Sequence, residues 1–125
     1  MSRKSMIPRL VIAEDQSLEA DYVSPPIRVQ GLDNISFQIN ITGAAEGSFS
    51  VQVSNDVSFN PDGSVRDPGT WTALTSPAAV AVTAGAPSPI FFDVNQTSAY
   101  AIRLSWTNNA SPESSASIYL TAKAV

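Results

Sequence analysis

Between Ile35 and Ile41 every second residue is apolar: Ile35, Phe37, Ile39 and Ile41 alternate with Ser36, Gln38 and Asn40. After a short break the pattern resumes as Phe49, Val51 and Val53, separated by Ser50 and Gln52. A period of two puts successive side chains on opposite faces of an extended chain. Each segment is therefore a strand with one dry face and one wet face. Beyond Pro26 no segment carries the helical period. The same reading predicts strands over 27–30, 35–42, 48–54, 70–74, 79–83, 89–94, 99–107 and 115–124, with 70–74 as a hairpin partner of 48–54. In 99–107 the large residues Tyr100, Ile102, Leu104 and Trp106 share one face, and in the last strand Ile118 and Leu120 point inward. About seven or eight short strands punctuated by Gly, Pro, Asn and Asp describe an all-β fold, an antiparallel β-sandwich. Pattern alone leaves jelly-roll and Ig-like arrangements both open.

The first 26 residues read differently. Their polarity is mixed, Pro8 removes a backbone donor, and Ser24-Pro25-Pro26 enforces an extended stretch. The expected organisation is an extended N-terminal arm, 1–26, followed by a sandwich domain, 27–125. The arm is expected to order only on assembly. A short helix over 14–22 is the weaker alternative. Arg3, Lys4 and Arg9 cluster at the start of the arm, either as a solvated tail or as a charged contact for an acidic neighbour.

Composition removes several function classes. With no Cys and no His, Cys–His and Ser–His nucleophile pairs and the usual zinc, copper and haem ligands are missing. No cofactor or metal is expected. A net charge of −4 disfavours nucleic acid as a partner. No run approaches the ~20 apolar residues of a membrane-spanning helix, so no membrane partner is expected. Leu10-Val11-Ile12-Ala13 is too short for the core of a signal peptide, because Glu14 and Asp15 interrupt it.

The loop 55–69, NDVSFNPDGSVRDPG, is the most feature-rich stretch. Asp56, Asn60, Asp62 and Asp67 offer oxygen atoms, but Pro61 falls where a calcium loop needs glycine, and no glutamate closes the pattern. Asn60-Pro61-Asp62-Gly63 is instead a turn sequence. The loop reads as a hairpin excursion with Val57, Phe59 and Val65 exposed for contact. The acid pairs Glu14/Asp15, Glu19/Asp21 and Asp62/Asp67 sit in the arm or on turns, with nothing to place two across one cleft, so an enzyme is not expected. Among the aromatics, Trp71 and Tyr119 are candidates for a sugar-stacking platform. Tyr100 and Trp106 follow the core pattern.

A wider pattern joins these segments. Val51-Gln52-Val53-Ser54-Asn55-Asp56 is followed by Trp71-Thr72-Ala73-Leu74, then Tyr100-Ala101-Ile102-Arg103-Leu104, then Tyr119-Leu120-Thr121-Ala122-Lys123. Over roughly 33–124 this resembles the small β-sandwich structural proteins of double-stranded DNA bacteriophage virions. The stretch between Asp56 and Trp71 is longer here than the short turn usual in that family. The resemblance implies a non-enzymatic virion protein of the capsid decoration or cement type. Its partners would be the major capsid protein, other virion proteins and sister copies in a homo-oligomer. Arg3, Lys4 and Arg9 would make the charged contacts, and Val57, Phe59 and Val65 the apolar ones. The alternative is a carbohydrate-binding spike or fibre module using exposed aromatics.

Overall fold

The computed structural model describes residues 6–95 and 98–124. Its strands are β1 (Met6–Ser17), β2 (Tyr22–Val23), β3 (Ile27–Arg28), β4 (Asn34–Gly43), β5 (Gly47–Ser54), β6 (Ser58–Phe59), β7 (Val65–Asp67), β8 (Thr72–Ala73), β9 (Val80–Val82), β10 (Ile90–Val94), β11 (Ala101–Asn108) and β12 (Ser114–Lys123). No helix forms among the described residues. The expected strands all appear, and β8 pairs with β5 as the hairpin reading required, though over two residues only.

The strands divide into two layers. One sheet has the order β1-β12-β4-β10. In the other, β11 and β5 form the centre. Both β2 and β3 lie along the outer side of β11, and both β8 and β9 along the outer side of β5. Each of those two edges is thus one strand interrupted in the middle. All the pairings are antiparallel. Counting each interrupted edge once, successive strands alternate between the layers except where β5 leads to β8 and β9. The first and last strands lie side by side. This double Greek key is a jelly roll, which resolves the alternative that alternation had left open.

The core is what the period-two pattern dictates. Phe37, Ile39, Ile118, Leu120 and Phe92 bury their side chains from the first sheet against Phe49, Val51, Ile102, Leu104 and Trp106 from the second. Phe92, Phe37 and Leu120 stand in one row across the first sheet. Burying each such side chain contributes on the order of 1.5–3 kcal/mol. Phe49 and Trp106 pack as a tilted ring pair with centroids 4.6 Å apart.

The N-terminal segment departs from expectation. From Met6 to Ser17 it is not an arm standing off the sandwich but the edge strand of the first sheet, paired with β12 from Met6↔Lys123 to Ser17↔Ser115. The register shifts three times along the way, and Asp15 takes φ 50°. Proline and bulges blunt an exposed edge against unwanted pairing, and they also erase the alternation that would have announced a strand. The corner that follows is anchored rather than helical. Leu18 is fully buried, its N–H donates to Ser114 O at 3.1 Å, and its carbonyl accepts from Trp106 Nε1 at 3.0 Å. The Asp21 carboxylate accepts from the Asn108 N–H at 2.7 Å. Further along, Pro25 and Pro26 interrupt the edge between β2 and β3. Ser24 bridges the interruption: its own N–H donates to Leu104 O at 2.9 Å, while its hydroxyl oxygen accepts from Leu104 N at 2.8 Å.

Candidate functional site

Two surfaces carry the residues singled out by sequence. The first is the loop 55–69. Asn60–Gly63 forms the expected turn, with Gly63 N donating to Asn60 O at 2.9 Å, and β6 and β7 flank it as a small hairpin. Asp56 closes the loop's base. Its Oδ1 accepts from Thr70 N at 2.7 Å and from the Ser54 hydroxyl at 2.8 Å. These bonds, that from the Thr70 backbone foremost, hold the Asp56 carboxyl below its ordinary range. Asp62 is likewise lowered, first by the Ser64 hydroxyl.

The expected apolar tip is only partly present. Val65 is exposed, but Val57 is 3% exposed and belongs to the interior. The Ser54 hydroxyl accepts from the Val57 N–H at 3.2 Å, turning the chain inward there instead of outward. Phe59 is half-buried, with the Tyr100 ring at 6.1 Å between centroids and the Arg28 guanidinium over it at 5.4 Å. Phe59 is paired with Val65 across the hairpin, so an exposed Val65 lies beside the tilted Phe59–Tyr100 ring pair.

The second surface is the outer face of the β1-β12-β4-β10 sheet, which sequence reasoning recognised only through Tyr119. Register places Val11, Tyr119, Gln38 and Phe91 in one row across all four strands. Phe91 is 62% exposed. Around the row, Ser36, Asn40 and Thr121 complete the floor of a groove of about 360 Å³, and Pro8 and Arg9 form its rim. Gln38 Nε2 donates to Asn40 Oδ1 at 3.2 Å, and the Thr121 hydroxyl donates to Pro8 O at 3.2 Å. Phe91 lies outside the strand pattern's obvious candidates because Phe92 beside it fills the core. The pairing of β10 with β4 was the missing information.

The arginines decide which aromatics are available. Arg9 sits over the Tyr119 ring at 5.0 Å. Arg103 sits over Trp71 at 4.4 Å, and its Nε donates to Gln52 Oε1 at 2.7 Å. Burial lowers the Arg103 pKa, consistent with a guanidinium held between Trp71 and Gln52. Trp71 also donates its Nε1–H to Pro68 O at 2.7 Å. Both rings thus carry a guanidinium on one face; Trp71 is also tied to the Pro68 carbonyl, while Tyr119 lines the groove beside Phe91. Arg3 and Lys4 lie outside the described residues. Among the described residues, no three acidic side chains gather as a metal site. Asp21, Asp56, Asp62 and Asp67 each accept a nearby backbone N–H.

These features define a jelly-roll protein with an amide-lined outer groove and a short hairpin at one loop. No protein-family model matches the chain, and comparison with curated protein sequences finds no match. Its fold has counterparts among solved structures. One is the SPBc2 prophage-derived protein YomS, with a TM-score of 0.56 and 5% sequence identity over 99% of this chain and 97% of that one. Another is a chain in the structure of infectious bursal disease virus, Gx strain, with a TM-score of 0.54 and 15% identity. The alignment there covers 98% of this chain and 32% of the viral one, so this chain spans about a third of it. At such identities the likeness is one of fold.

Proposed function

We propose that this chain is a non-enzymatic structural protein of a bacteriophage particle, seated on the shell as a decoration or cement protein. The observation that carries this reading is the end-to-end correspondence of its jelly roll with a prophage-derived protein of nearly the same extent. Jelly rolls recur in viral capsid domains, where two packed sheets make a rigid tile. Asp62 and Asp67 cap turns within the loop 55–69 and Asp56 closes its base, which supports an architectural role for these three acids.

With β1 part of the sheet, the hairpin offers the apolar contact for a shell, beside the charged contacts expected of Arg3, Lys4 and Arg9. Val65 supplies the apolar contact, backed by the Phe59–Tyr100 stack. A single small contact of this kind is weak, and repetition over sister copies on a symmetric shell strengthens it through avidity. The full chain mixed with empty shells of the phage that encodes it should co-sediment at a saturating ratio. Val65→Asp should reduce that ratio while leaving the melting curve of the free protein unchanged. A full chain that stays in the supernatant at every concentration overturns the reading.

A further inference from the structure

We propose that the groove on the outer face of the β1-β12-β4-β10 sheet binds one or two pyranose units of a glycan. This inference is independent of the particle role above, because it rests on the groove alone.

The chemistry of the floor narrows the ligand. Ser36, Gln38, Asn40 and Thr121 are uncharged and carry both donors and acceptors. The Gln38–Asn40 bond fixes two amides side by side, leaving Gln38 Oε1 as an acceptor and Asn40 Nδ2 as a donor for an incoming molecule. A donor and an acceptor held next to each other match the adjacent hydroxyls of a sugar ring. Phe91 and Tyr119 flank the Gln38 amide in the same row, on the strands either side of β4. Aromatic rings beside amides suit a ligand with apolar C–H faces and polar edges.

Other ligand classes fit less well. A purely apolar ligand would cover Gln38 Oε1 and Asn40 Nδ2 without offering either a partner. A polyanion such as nucleic acid would meet a single lining cation, Arg9, on a chain of net charge −4. A groove of about 360 Å³ sits at the small end of the ~300–1,000 Å³ range of ligand pockets, too short for a helix but sufficient for one or two sugar rings. Arg9 at the rim adds a site for a carboxylate when the sugar carries one.

The test is a titration of the isotope-labelled full chain, followed by amide shifts. The probes are a glucose trimer, an N-acetylglucosamine trimer and a uronate trimer. At least one should move the side-chain amides of Gln38 and Asn40 and the Phe91 backbone amide saturably. Phe91→Ala and Gln38→Ala should each weaken that binding by about tenfold or more. Both side chains are solvent-exposed, so thermal melts should show both variants folded. Trp71→Ala, on the opposite sheet, should bind as the parent does. The inference is overturned if none of the three probes moves these resonances, or if the shifts persist unchanged in the Phe91 and Gln38 variants. Failure to bind shells would leave it untouched, and failure to bind sugars would leave the shell reading untouched.

Discussion

Gly47 packs directly against the indole of Trp106: a Cβ at position 47 would lie 2.8 Å from both Cζ2 and Cη2 of that ring, and closer still to the carbonyl oxygen of Thr107. The first residue of β5 is thus the floor on which the largest core side chain rests. Gly47→Ala must displace backbone or ring, because neither contact is the far end of a flexible side chain. The expected loss is about 1–3 kcal/mol, as for other overpacked cores. Urea denaturation of the two proteins checks it. Gly63→Ala is the comparison, because nothing lies within 4 Å there and only its φ of +91° resists substitution. That loss should be nearer 1 kcal/mol.

Ser24 supplies a side-chain oxygen where the Pro25-Pro26 interruption leaves the sheet short of a carbonyl. Ser24→Ala would leave the buried N–H of Leu104 without that acceptor. A loss of about 1–3 kcal/mol follows from the stranded donor. Hydrogen exchange at Leu104 should quicken more than at Trp106, which faces the same edge but pairs with Tyr22 of β2.

Removing the chain through Ser17 should abolish cooperative folding. That deletion strips one of the two partners of β12, leaving only β4 beside it, and uncovers one side of Ile118 and Leu120. Circular dichroism and a thermal melt distinguish the outcomes. A truncated protein that melts as cooperatively as the full chain would restore the picture of a dispensable arm.

Asp56 couples the loop 55–69 to pH. Its folded carboxyl titrates below the ordinary value of 3.8, so its contribution to stability is complete above that value and is lost as pH falls through the lower folded one. Asp56→Asn should therefore be less stable than the parent at pH 7, and the difference should shrink below about pH 4. Exchange protection at the Thr70 amide, which donates to Asp56, should follow the same course.

Much of this fold was legible because burial on one face writes itself as alternation. Ile35, Phe37 and Ile39, and Ile102, Leu104 and Trp106, are buried as their spacing required. What alternation does not encode is which strands adjoin. The jelly-roll order, and with it the row that joins Phe91 to Tyr119, depends on pairings between residues more than fifty positions apart in one step and about eighty in the other. The edge strand β1 was hidden for a local reason. Leu10 and Val11 are both exposed and oppose Leu120 and Tyr119 in succession, and the bulges that follow break the period. Val57 misled because a residue in a polar, turn-rich loop has no sequence mark of burial. Its position is set by the Ser54 hydroxyl, through the N–H it accepts.

The proposed role of this jelly roll, as a tile on a phage shell, has a direct structural readout. A cryo-electron reconstruction of empty shells saturated with the full chain tests it most directly. Added density is expected at symmetry-equivalent positions, each fitted by a two-sheet body of 13.2 kDa with the Val65 hairpin toward the shell. Shells whose reconstruction is identical with and without the protein would contradict it.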